Sequence, residues 1–344
     1  MSKQGVLLMN LGSPDSTAVE DVRVYLREFL MDPRVIDTPF PIRYAVVNWG
    51  ILPKRPAESA HAYSTIWTKE GSPLVVISRK QQAALQARLG IPVELAMRYR
   101  LPRVRTALEA LQAQGVTEVA FIPMFPHFAM SSYETAVLHV QEEARKHTPG
   151  LTIHTMPPYA EDPGFIDALV ATAKEALSKP YDHVLFSFHG IPERHLRKSD
   201  PTNAHCLKFP DCCERPSEAH ATCYRAQCFG TVREFVKSAG IPAGKFSVSF
   251  QSRLGKDPWL KPYTDFELER FGKEGIRKLV VLCPAFTADC LETIEEMGVR
   301  GKESFINAGG EEYTLVPCVN DHPKFIDALE GYARQLLRRP KLRG

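Results

Sequence analysis

Eight short apolar runs, rich in β-branched residues, alternate along the chain with stretches of helical periodicity. The runs occupy positions 6–11, 93–98, 119–123, 152–156, 184–188, 246–250, 279–283 and 314–317. Amphipathic patterns typical of helices occupy positions 80–89, 104–114, 165–177 and 323–337. Strands that alternate with helices predict βαβ units and parallel sheets. We therefore expect an α/β fold of two similar doubly wound lobes, each with a mostly four-stranded parallel sheet flanked by helices.

The eight predicted strands fall into two groups of four, which sets the expected domain organisation. A chain of 344 residues is long enough for about two domains. We expect a first lobe over residues 1–157 and a second over 158–322, which includes a cysteine-rich insertion at 200–228. The segment 323–344 is expected to form a helix that packs back on the first lobe and to end in a basic tail.

Composition and charge exclude several classes of protein. Lys and Arg number 43 against 40 Asp and Glu, a net charge of +3 that is too balanced for a nucleic-acid partner. No run reaches the roughly 18 apolar residues of a membrane span, and the basic tail permits at most a peripheral contact with an anionic membrane. The first apolar run is too short for a signal peptide, which predicts a cytoplasmic protein whose eight cysteines are not structural disulfides. The sequence contains no glycine-rich phosphate loop, which argues against a nucleotide cofactor.

Candidate chemistry is expected where strands end, because ligands of open α/β sheets bind beyond the carboxyl ends of the strands. His189 directly follows the fifth apolar run. Imidazole side chains accept protons and bind metal ions near neutral pH, so His189 is a candidate base or metal ligand. The alternative is a histidine whose hydrogen bonds are satisfied within the fold.

Two acidic residues of one predicted helix, Glu292 and Glu296, have i,i+4 spacing, which puts both carboxylates on one face. Their repulsion costs on the order of 0.2–0.5 kcal/mol, and a cation or a shared proton would remove that cost. The competing interpretation is a capping box, since Asp289 precedes Glu292 by three residues and acids in a first turn suit the helix dipole. The sequence does not decide between these interpretations.

Other residues near strand ends are candidate ligand contacts. Trp259, in a proline-rich segment after the sixth run, suits either the wall of a flat aromatic pocket or a packed loop anchor. Arg98 and Ser72 are suited to binding carboxylates, Arg98 through a bidentate fork and Ser72 through its hydroxyl. Asn10 and Tyr99 also lie at the ends of predicted strands.

Five cysteines lie in a stretch of 23 residues within the predicted second lobe. They are Cys206, Cys212, Cys213, Cys223 and Cys228. Thiolates so close in sequence suit zinc or an iron–sulfur centre, and the lack of paired C-x2-C spacing favours a cluster. Adjacent side chains rarely converge on one centre, so we expect four of the five to be ligands. Cys213 is preferred over Cys212, which is one residue nearer to Cys206 and would close a tighter loop.

Several motifs, in the same order along the chain, resemble those of the ferrochelatase family. The N-terminal motifs are GVLLMNLGSP (5–14), LREFLMDPRVI (26–36), GSPL (71–74) and AMRY (96–99). The most specific motifs are FSFHGIP (186–192), FQSRLG (250–255) and PAFTADCLET (284–293). The resemblance runs from residue 5 to about residue 322 and implies two Rossmann-like lobes with a porphyrin cleft between them. It also implies a lyase that inserts ferrous iron into protoporphyrin IX in the last step of heme biosynthesis.

The resemblance implies roles for residues of the matching motifs. His189 and Glu292 resemble the family's iron-site pair, and Glu296 resembles a second acid on the same helix. The predicted substrate contacts are Asn10, Ser72, Arg98, Tyr99 and Trp259. The sequence leaves open whether His189 is a base or an iron ligand, and whether protoporphyrin or coproporphyrin is preferred.

Two segments depart from the common pattern of the family. After the third strand, His127 follows Pro126 where the family often has Pro-Gln-Tyr-Ser, and His127 is a candidate to face the cleft. The segment 200–228 is longer than in plain bacterial members and resembles the subgroup that holds an internal 2Fe–2S cluster. Structural zinc at the same cysteines is the alternative.

Three other functions compete with this interpretation. One is a heme or porphyrin carrier without turnover, which would not need the Glu292 and Glu296 pair. Another is a related chelatase that inserts cobalt or nickel into a different tetrapyrrole, and a third makes the cysteine-rich segment a zinc-stapled interaction module.

Overall fold

The computed structural model describes residues 3–253, 255 and 257–338. Tertiary contacts divide the described residues into two units. The first unit contains residues 3–124, 130–157 and 326–338, and the second contains residues 125–129 and those of 158–325. The predicted basic tail beyond residue 338 lies outside the described residues.

The first unit is built on a four-stranded parallel sheet with the strand order β2-β1-β3-β4. Its strands are β1 (Gln4–Gly12), β2 (Val93–Tyr99), β3 (Glu118–Pro123) and β4 (Thr152–Thr155). Its helices are α1 (Val19–Leu30), α2 (Phe40–Ala45), α3 (Arg55–Ile66), α4 (Pro73–Leu89), α5 (Val104–Ala113) and α6 (Thr135–His147), with π-helical turns at Val46–Ile51 and Met130–Glu134.

The second unit repeats the strand order, as β6-β5-β7-β8, in another four-stranded parallel sheet. Its strands are β5 (His183–His189), β6 (Phe246–Gln251), β7 (Lys278–Leu282) and β8 (Glu312–Leu315). Its helices are α7 (Pro163–Ser178), α8 (Glu193–Lys198), α9 (Tyr224–Ala239), α10 (Thr264–Lys273) and α11 (Lys302–Asn307), with a 3₁₀ turn at Glu218–Ala221 and a π-helix at Glu292–Gly301. The last helix, α12 (Pro323–Leu337), begins in the second unit, and its residues from 326 onward group with the first.

Burial of the central strands explains why the sequence shows continuous apolar runs rather than alternation. Val6 and Leu7 of β1 and Val184 and Leu185 of β5 have no solvent exposure, although successive side chains of a strand point to opposite faces. Such strands need apolar residues on both faces because helices cover both sides of a parallel sheet. The predicted α/β class, with two sheets of four parallel strands flanked by helices, is confirmed.

Three details differ from the sequence analysis. Strand β8 lies two residues earlier than predicted, because its pairing with β7 ends at Leu315 opposite Val281. Helix α4 begins at Pro73, since proline is well suited to the first helical position. Residues 125–129 group with the second unit, where the backbone N–H of Phe128 donates to the side chain of Gln227.

In the described part of the chain, no helix combines the length and the apolar character that crossing a membrane requires.

Candidate active site

His189 is the last residue of β5 and lies at the carboxyl end of the second sheet, where candidate chemistry is expected. Its Nδ1 atom is 2.6 Å from the carbonyl oxygen of Gly190. A carbonyl oxygen only accepts hydrogen bonds, so Nδ1 carries the hydrogen of the neutral ring and Nε2 presents a lone pair. The fold therefore fixes one tautomer of a half-buried imidazole, with Nε2 as the acceptor.

Glu292 and Glu296 lie on the π-helix Glu292–Gly301, a type of helix that frequently occurs at functional sites. Burial raises the pKa of Glu296 above the ordinary value of a carboxyl group, and a hydrogen bond from Ser252 and the charge of His189 offset only part of this effect. The neighbouring charge of Glu292 acts in the same direction as burial. The structure thus brings His189, Glu292 and Glu296 into electrostatic contact in one site.

Ser252 holds Glu296 in place and was not predicted as a site residue. Its hydroxyl donates to Oε2 of Glu296. Its backbone φ is 65°, in the left-handed region that residues other than glycine seldom adopt. The available signal in the sequence is its position directly after β6, the edge at which ligands of such sheets bind.

Gln251 connects the two strands and the π-helix beneath the site. Its side-chain oxygen accepts from the hydroxyl of Ser187 at 2.6 Å, and its carbonyl oxygen accepts from the backbone N–H of Gly190 at 2.7 Å. Its amide nitrogen donates to the carbonyl oxygen of Glu292 at 3.4 Å. Because this side chain is buried, its hydrogen bonds fix the ends of β5 and β6 relative to the first turn of the π-helix.

Trp259 packs against the turn that follows His189. A Cβ atom on Gly190 would lie 2.8 Å from the carbonyl oxygen of Gln251 and 3.2 Å from the Trp259 ring, so only glycine fits there. The buried indole N–H of Trp259 has no hydrogen-bond partner among the described residues. The tryptophan therefore closes one side of the His189 turn and keeps an unused donor.

The capping-box interpretation of Asp289 and Glu292 is wrong. The carboxylate of Asp289 accepts from the hydroxyl of Thr293, from the backbone N–H of Cys318 and from the amide of Asn320. Its own N–H donates to Asn320 rather than to Glu292. Asp289 thus joins the start of the π-helix to the segment after β8, and it leaves the Glu292 carboxylate out of the cap.

The predicted contacts of the first unit lie in a different environment. Tyr99 is 1% exposed, and its hydroxyl donates to Oδ2 of Asp32 at 2.9 Å. The Arg98 guanidinium binds the same carboxylate at 2.5 Å and the Thr135 hydroxyl at 2.8 Å. These bonds occupy polar groups that the sequence analysis assigns to substrate, so a substrate role for Arg98 and Tyr99 stays a prediction.

Asn10 and Ser72 are also buried in the first unit. The Asn10 amide donates to the hydroxyl of Ser78 at 3.3 Å and accepts from the N–H of Leu11 at 2.8 Å. Ser72 precedes α4, and its hydroxyl does not cap that helix. Their predicted contact with substrate stays a prediction as well.

His127 does not present its ring as a ligand. It is 2% exposed, its Nε2 is 2.8 Å from the Thr231 hydroxyl, and its ring packs edge-on against Phe188 and Tyr224. Burial lowers the pKa of His127 to about 3, so the ring is neutral at physiological pH. The expectation that His127 faces a cleft is wrong, because hydrogen bonding and packing enclose it within the second unit.

Three cysteines of the cysteine-rich segment influence one another's ionisation. Interactions with the thiols of Cys206 and Cys213 hold the pKa of Cys223 well below its ordinary value. Cys228 lies on α9 and is fully buried. Cys212 is also buried, and its carbonyl oxygen accepts from the rings of His205 and His220. All eight cysteines are free thiols.

Within residues 3–253, 255 and 257–338, no three His, Cys, Asp or Glu side chains are arranged to hold a single metal ion. Buried cysteine thiols are the donor type that iron–sulfur clusters and structural zinc take.

Comparison with known proteins identifies the family. The family model described as Ferrochelatase matches residues 3–337. The ferrochelatase of Opitutus terrae is 53% identical over 341 residues, which cover 98% of this chain and 99% of the relative. The ferrochelatase of Stutzerimonas stutzeri is 52% identical over 331 residues, which cover 96% of this chain and 97% of the relative.

Solved structures with a similar fold include two of a chelatase from Bacillus subtilis. SirB with Fe3+ matches with a TM-score of 0.53 and 16% identity, covering 98% of this chain and 96% of the other. The sirohydrochlorin chelatase SirB in complex with cobalt, from the subspecies spizizenii, matches with a TM-score of 0.52 and 13% identity, covering 99% and 98%. At such low identity the likeness concerns the fold alone. The family itself follows from the sequence matches, which extend over nearly the whole length: this chain belongs to the ferrochelatase family.

Proposed function

We infer that this family member is a lyase that inserts ferrous iron into protoporphyrin IX, releases two protons and yields protoheme, the last step of heme biosynthesis. The reaction exchanges two pyrrole hydrogens for one divalent ion and forms no covalent intermediate with the protein. The chain must therefore supply proton acceptors and groups that bind iron as it sheds its water.

The fixed tautomer of His189 is the observation that best supports placing this reaction at the end of β5. With Nδ1 bonded to the Gly190 carbonyl oxygen, the lone pair of Nε2 is available to a pyrrole N–H or to iron. We assign the first proton transfer to Nε2, because a neutral imidazole accepts protons well near pH 7. The alternative role of iron ligand uses the same lone pair.

Glu296 is the second proposed proton acceptor. Its raised pKa makes the carboxylate a stronger base than an ordinary glutamate, so it takes a proton more readily at neutral pH. The imidazolium formed at His189 lies within electrostatic reach of this carboxylate, which stabilises the charged intermediate state. The Ser252 hydroxyl keeps the acceptor oxygen oriented.

Glu292 is the proposed ligand for incoming iron, and His189 is the second iron ligand in the alternative assignment of its lone pair. Carboxylate and imidazole are both suitable ligands for ferrous iron. The carbonyl of Glu292 is held by Gln251, so the backbone that carries this carboxylate is fixed to β6. Trp259 is proposed to contact the macrocycle, with Asn10, Ser72, Arg98 and Tyr99 as further predicted substrate contacts.

An anaerobic assay with ferrous iron and protoporphyrin tests the function, with porphyrin binding measured separately. We expect turnover by the wild-type protein, and loss of turnover with retained porphyrin binding in Glu292→Gln, which keeps the shape of the side chain and removes its charge. Binding without turnover in the wild-type protein would instead identify a carrier. Rates with coproporphyrin under the same conditions decide which porphyrin is preferred.

We also propose that Cys206, Cys213, Cys223 and Cys228 hold a 2Fe–2S cluster. Support comes from the interactions of Cys206 and Cys213 with Cys223 that shift their pKa values, and from the burial of Cys228 on α9, which begins directly after Cys223. Such a centre supplies one-electron redox chemistry, which iron insertion does not need. The choice of Cys213 over Cys212 is supported by the interaction with Cys223 that raises the pKa of Cys213.

The visible spectrum of protein purified without air tests the cluster. We expect absorption bands in the wild-type protein and in Cys212→Ser, and their loss in Cys206→Ser, Cys213→Ser, Cys223→Ser and Cys228→Ser. A colourless, iron-free protein with one zinc per chain would replace the cluster with structural zinc and leave the chelatase function unaffected.

A cytoplasmic location is part of the proposal. It is supported by the eight free thiols, because disulfides are rare in the reducing cytoplasm. Ferrous iron as a substrate also suits a reducing compartment.

A further inference from the structure

Three buried hydroxyl groups form a hydrogen-bonded series that ends on the side chain of Gln251. This hydroxyl series consists of Ser249 on β6, Thr264 at the start of α10 and Ser187 on β5. All three residues and Gln251 are at most 3% exposed. The oxygens of Ser249 and Thr264 are 2.7 Å apart, and those of Thr264 and Ser187 are 2.9 Å apart. The Ser187 oxygen is 2.6 Å from Oε1 of Gln251, so the series joins three elements of the second unit to one amide.

The direction of every hydrogen bond in the hydroxyl series follows from its last acceptor. The amide oxygen of Gln251 only accepts, so Ser187 uses its one hydrogen there. Thr264 must then donate to Ser187, and Ser249 must donate to Thr264. The sulfur of Met297 is 3.8 Å from the Ser187 oxygen and is too weak an acceptor to divert that hydrogen. All three hydroxyls therefore donate toward Gln251, and each bond strengthens the next.

The hydroxyl series determines which end of the Gln251 amide faces the π-helix. The thiol of Cys283 also donates to Oε1, at 3.8 Å, and the amide nitrogen donates to the carbonyl oxygen of Glu292 at 3.4 Å. In a flipped amide, the NH2 group would face Ser187, and Oε1 would face the Glu292 carbonyl oxygen, which is itself an acceptor. The series therefore selects the orientation in which Gln251 donates to the π-helix.

Gln251 holds the backbone beside both proposed functional groups. Its side chain binds the carbonyl of Glu292, and its main-chain carbonyl oxygen accepts from the N–H of Gly190 at 2.7 Å. The carbonyl oxygen of Gly190 in turn fixes the tautomer of His189, which is paired with Gln251 in the register of β5 and β6. The spacing between the imidazole and the first turn of the π-helix therefore depends on one buried residue.

We propose that Gln251 is a positioning residue for iron insertion, and that the hydroxyl series acts on the reaction by fixing its amide. The proposal rests on the roles of His189 and Glu292 under the proposed function. These buried side chains set the distance between the proton acceptor and the iron ligand. A misplacement of about 1 Å can cost about 100-fold in rate, so hydrogen bonds beneath the site affect turnover.

The test compares Thr264→Val with Thr264→Ser in the full-length protein. Valine keeps the volume of threonine and removes the hydroxyl, whereas serine keeps the hydroxyl and removes a methyl group. The readouts are kcat and KM for porphyrin in the anaerobic assay and, by NMR, the solvent exchange of the Gln251 side-chain amide hydrogens. We expect Thr264→Val to lower kcat about fivefold with KM within about twofold, and to speed exchange about tenfold. Thr264→Ser should change each quantity by less than about twofold.

Gln251→Met shows whether the hydroxyl series acts through Gln251. Methionine keeps the length of the side chain and cannot donate to Glu292, so we expect kcat to fall about tenfold. Adding Thr264→Val should lower kcat by less than a further twofold, because the amide on which the series acts is already lost. Ser187→Ala removes the last hydroxyl and should match Thr264→Val, so it tests the same hydrogen bonds if the valine variant does not fold by circular dichroism.

Thr231→Val is the matched control, since the buried Thr231 hydroxyl donates to the carbonyl oxygen of Ala160 at 2.7 Å, outside the hydroxyl series. It should leave kcat and the exchange of the Gln251 amide unchanged. Equal losses in Thr264→Val and Thr264→Ser would indicate a packing role and overturn the proposal, as would additive losses in the double variant. A wild-type protein without turnover would contradict the proposed function instead, and the exchange measurement does not depend on turnover.

Discussion

The ends of two strands, β2 in the first unit and β5 in the second, show opposite ways of treating buried charge. At the end of β2, the carboxylate of Asp32 accepts hydrogen bonds from Arg98, Tyr99 and Thr135. At the end of β5, His189 is near two carboxylates, of which Glu296 has one hydroxyl partner, Ser252. The first arrangement uses its polar groups to hold the fold together, whereas the second leaves a basic nitrogen and a basic carboxylate available.

The pKa directions of the two acids follow this difference. Burial alone would raise the pKa of Asp32, but hydrogen bonds from Thr135 and the Arg34 N–H, with the charge of Arg98, hold it below its ordinary value. The pKa of Glu296 is raised because burial outweighs the single hydrogen bond from Ser252. An acid whose burial is offset by hydrogen bonds and a neighbouring cation stabilises the protein. An acid whose burial is not offset, in a half-buried site, is a candidate for proton transfer.

Replacing the imidazole at the end of β5 should give the largest effect. We expect His189→Ala to lower kcat about 1000-fold while the protein stays folded, because it removes the imidazole nitrogen that accepts the first proton. The anaerobic iron-insertion assay and circular dichroism measure the two properties. His183→Ala, at the other end of β5, is the control and should keep kcat, since His183 contacts Ser247 and Phe271 instead. Activity within about threefold of wild type in His189→Ala would remove the residue from the mechanism.

A change at Asp32, which binds Arg98, Tyr99 and Thr135, should alter the stability of the protein rather than its rate of turnover. We expect Asp32→Asn to lower the free energy of unfolding by roughly 3 kcal/mol, because it leaves the Arg98 guanidinium without its anion. Urea unfolding measures this loss, and kcat should stay within about threefold. If kcat falls instead and stability is unchanged, then Arg98 and Tyr99 serve the substrate, as the sequence analysis predicted.

A smaller effect on rate is expected from the second acid of the site. Glu296→Gln should lower kcat about tenfold, because the amide cannot take a proton and His189 remains. Glu295→Gln is the neighbouring control on the same helix, where Glu295 forms an ion pair with Arg300. Equal rates of the two variants would show that the raised pKa of Glu296 has no part in turnover.

His127 of the second unit gives the smallest predicted effect, which is seen in the pH dependence of stability. His127 has a pKa of about 3 in the fold, against an ordinary value of 6.5, because it is buried. The unfolded chain therefore takes up a proton that the fold refuses, so stability is complete above the ordinary pKa and falls as the pH drops toward 3. Between pH 7 and pH 5.5 this costs about 1 kcal/mol in the wild-type protein. His127→Gln should flatten that part of the stability profile in urea titrations, and an unchanged slope would contradict the assignment.

The sequence predicts those features that depend on local pattern. Buried parallel strands need apolar residues on both faces, so the eight runs could be recognised. His189 follows from the rule that ligands bind at strand ends, and the grouping of Glu292 with Glu296 follows from their spacing. The family motifs then connected these residues to one reaction.

Features that depend on distant contacts could not be predicted in this way. Nothing near Asp32 in the sequence indicates its bonds to residues 66 to 103 positions away. The π-helical hydrogen bonding of residues 292–301 leaves no periodic signal in so short a stretch, and Asp289 looked like a cap because its partners lie near residue 320. Nothing in the sequence indicated that the Tyr224 hydroxyl donates to the carbonyl oxygen of His189, since an aromatic residue in a helix is ordinarily a packing residue.

The left-handed backbone of Ser252 has a consequence for protein engineering. A non-glycine residue in this conformation carries about 1–2 kcal/mol of strain, which glycine would relieve. A search for thermostable variants would therefore tend to select Ser252→Gly, and the selected protein would lack the hydroxyl that orients Glu296. At this position, a higher melting temperature and a faster enzyme are opposing objectives.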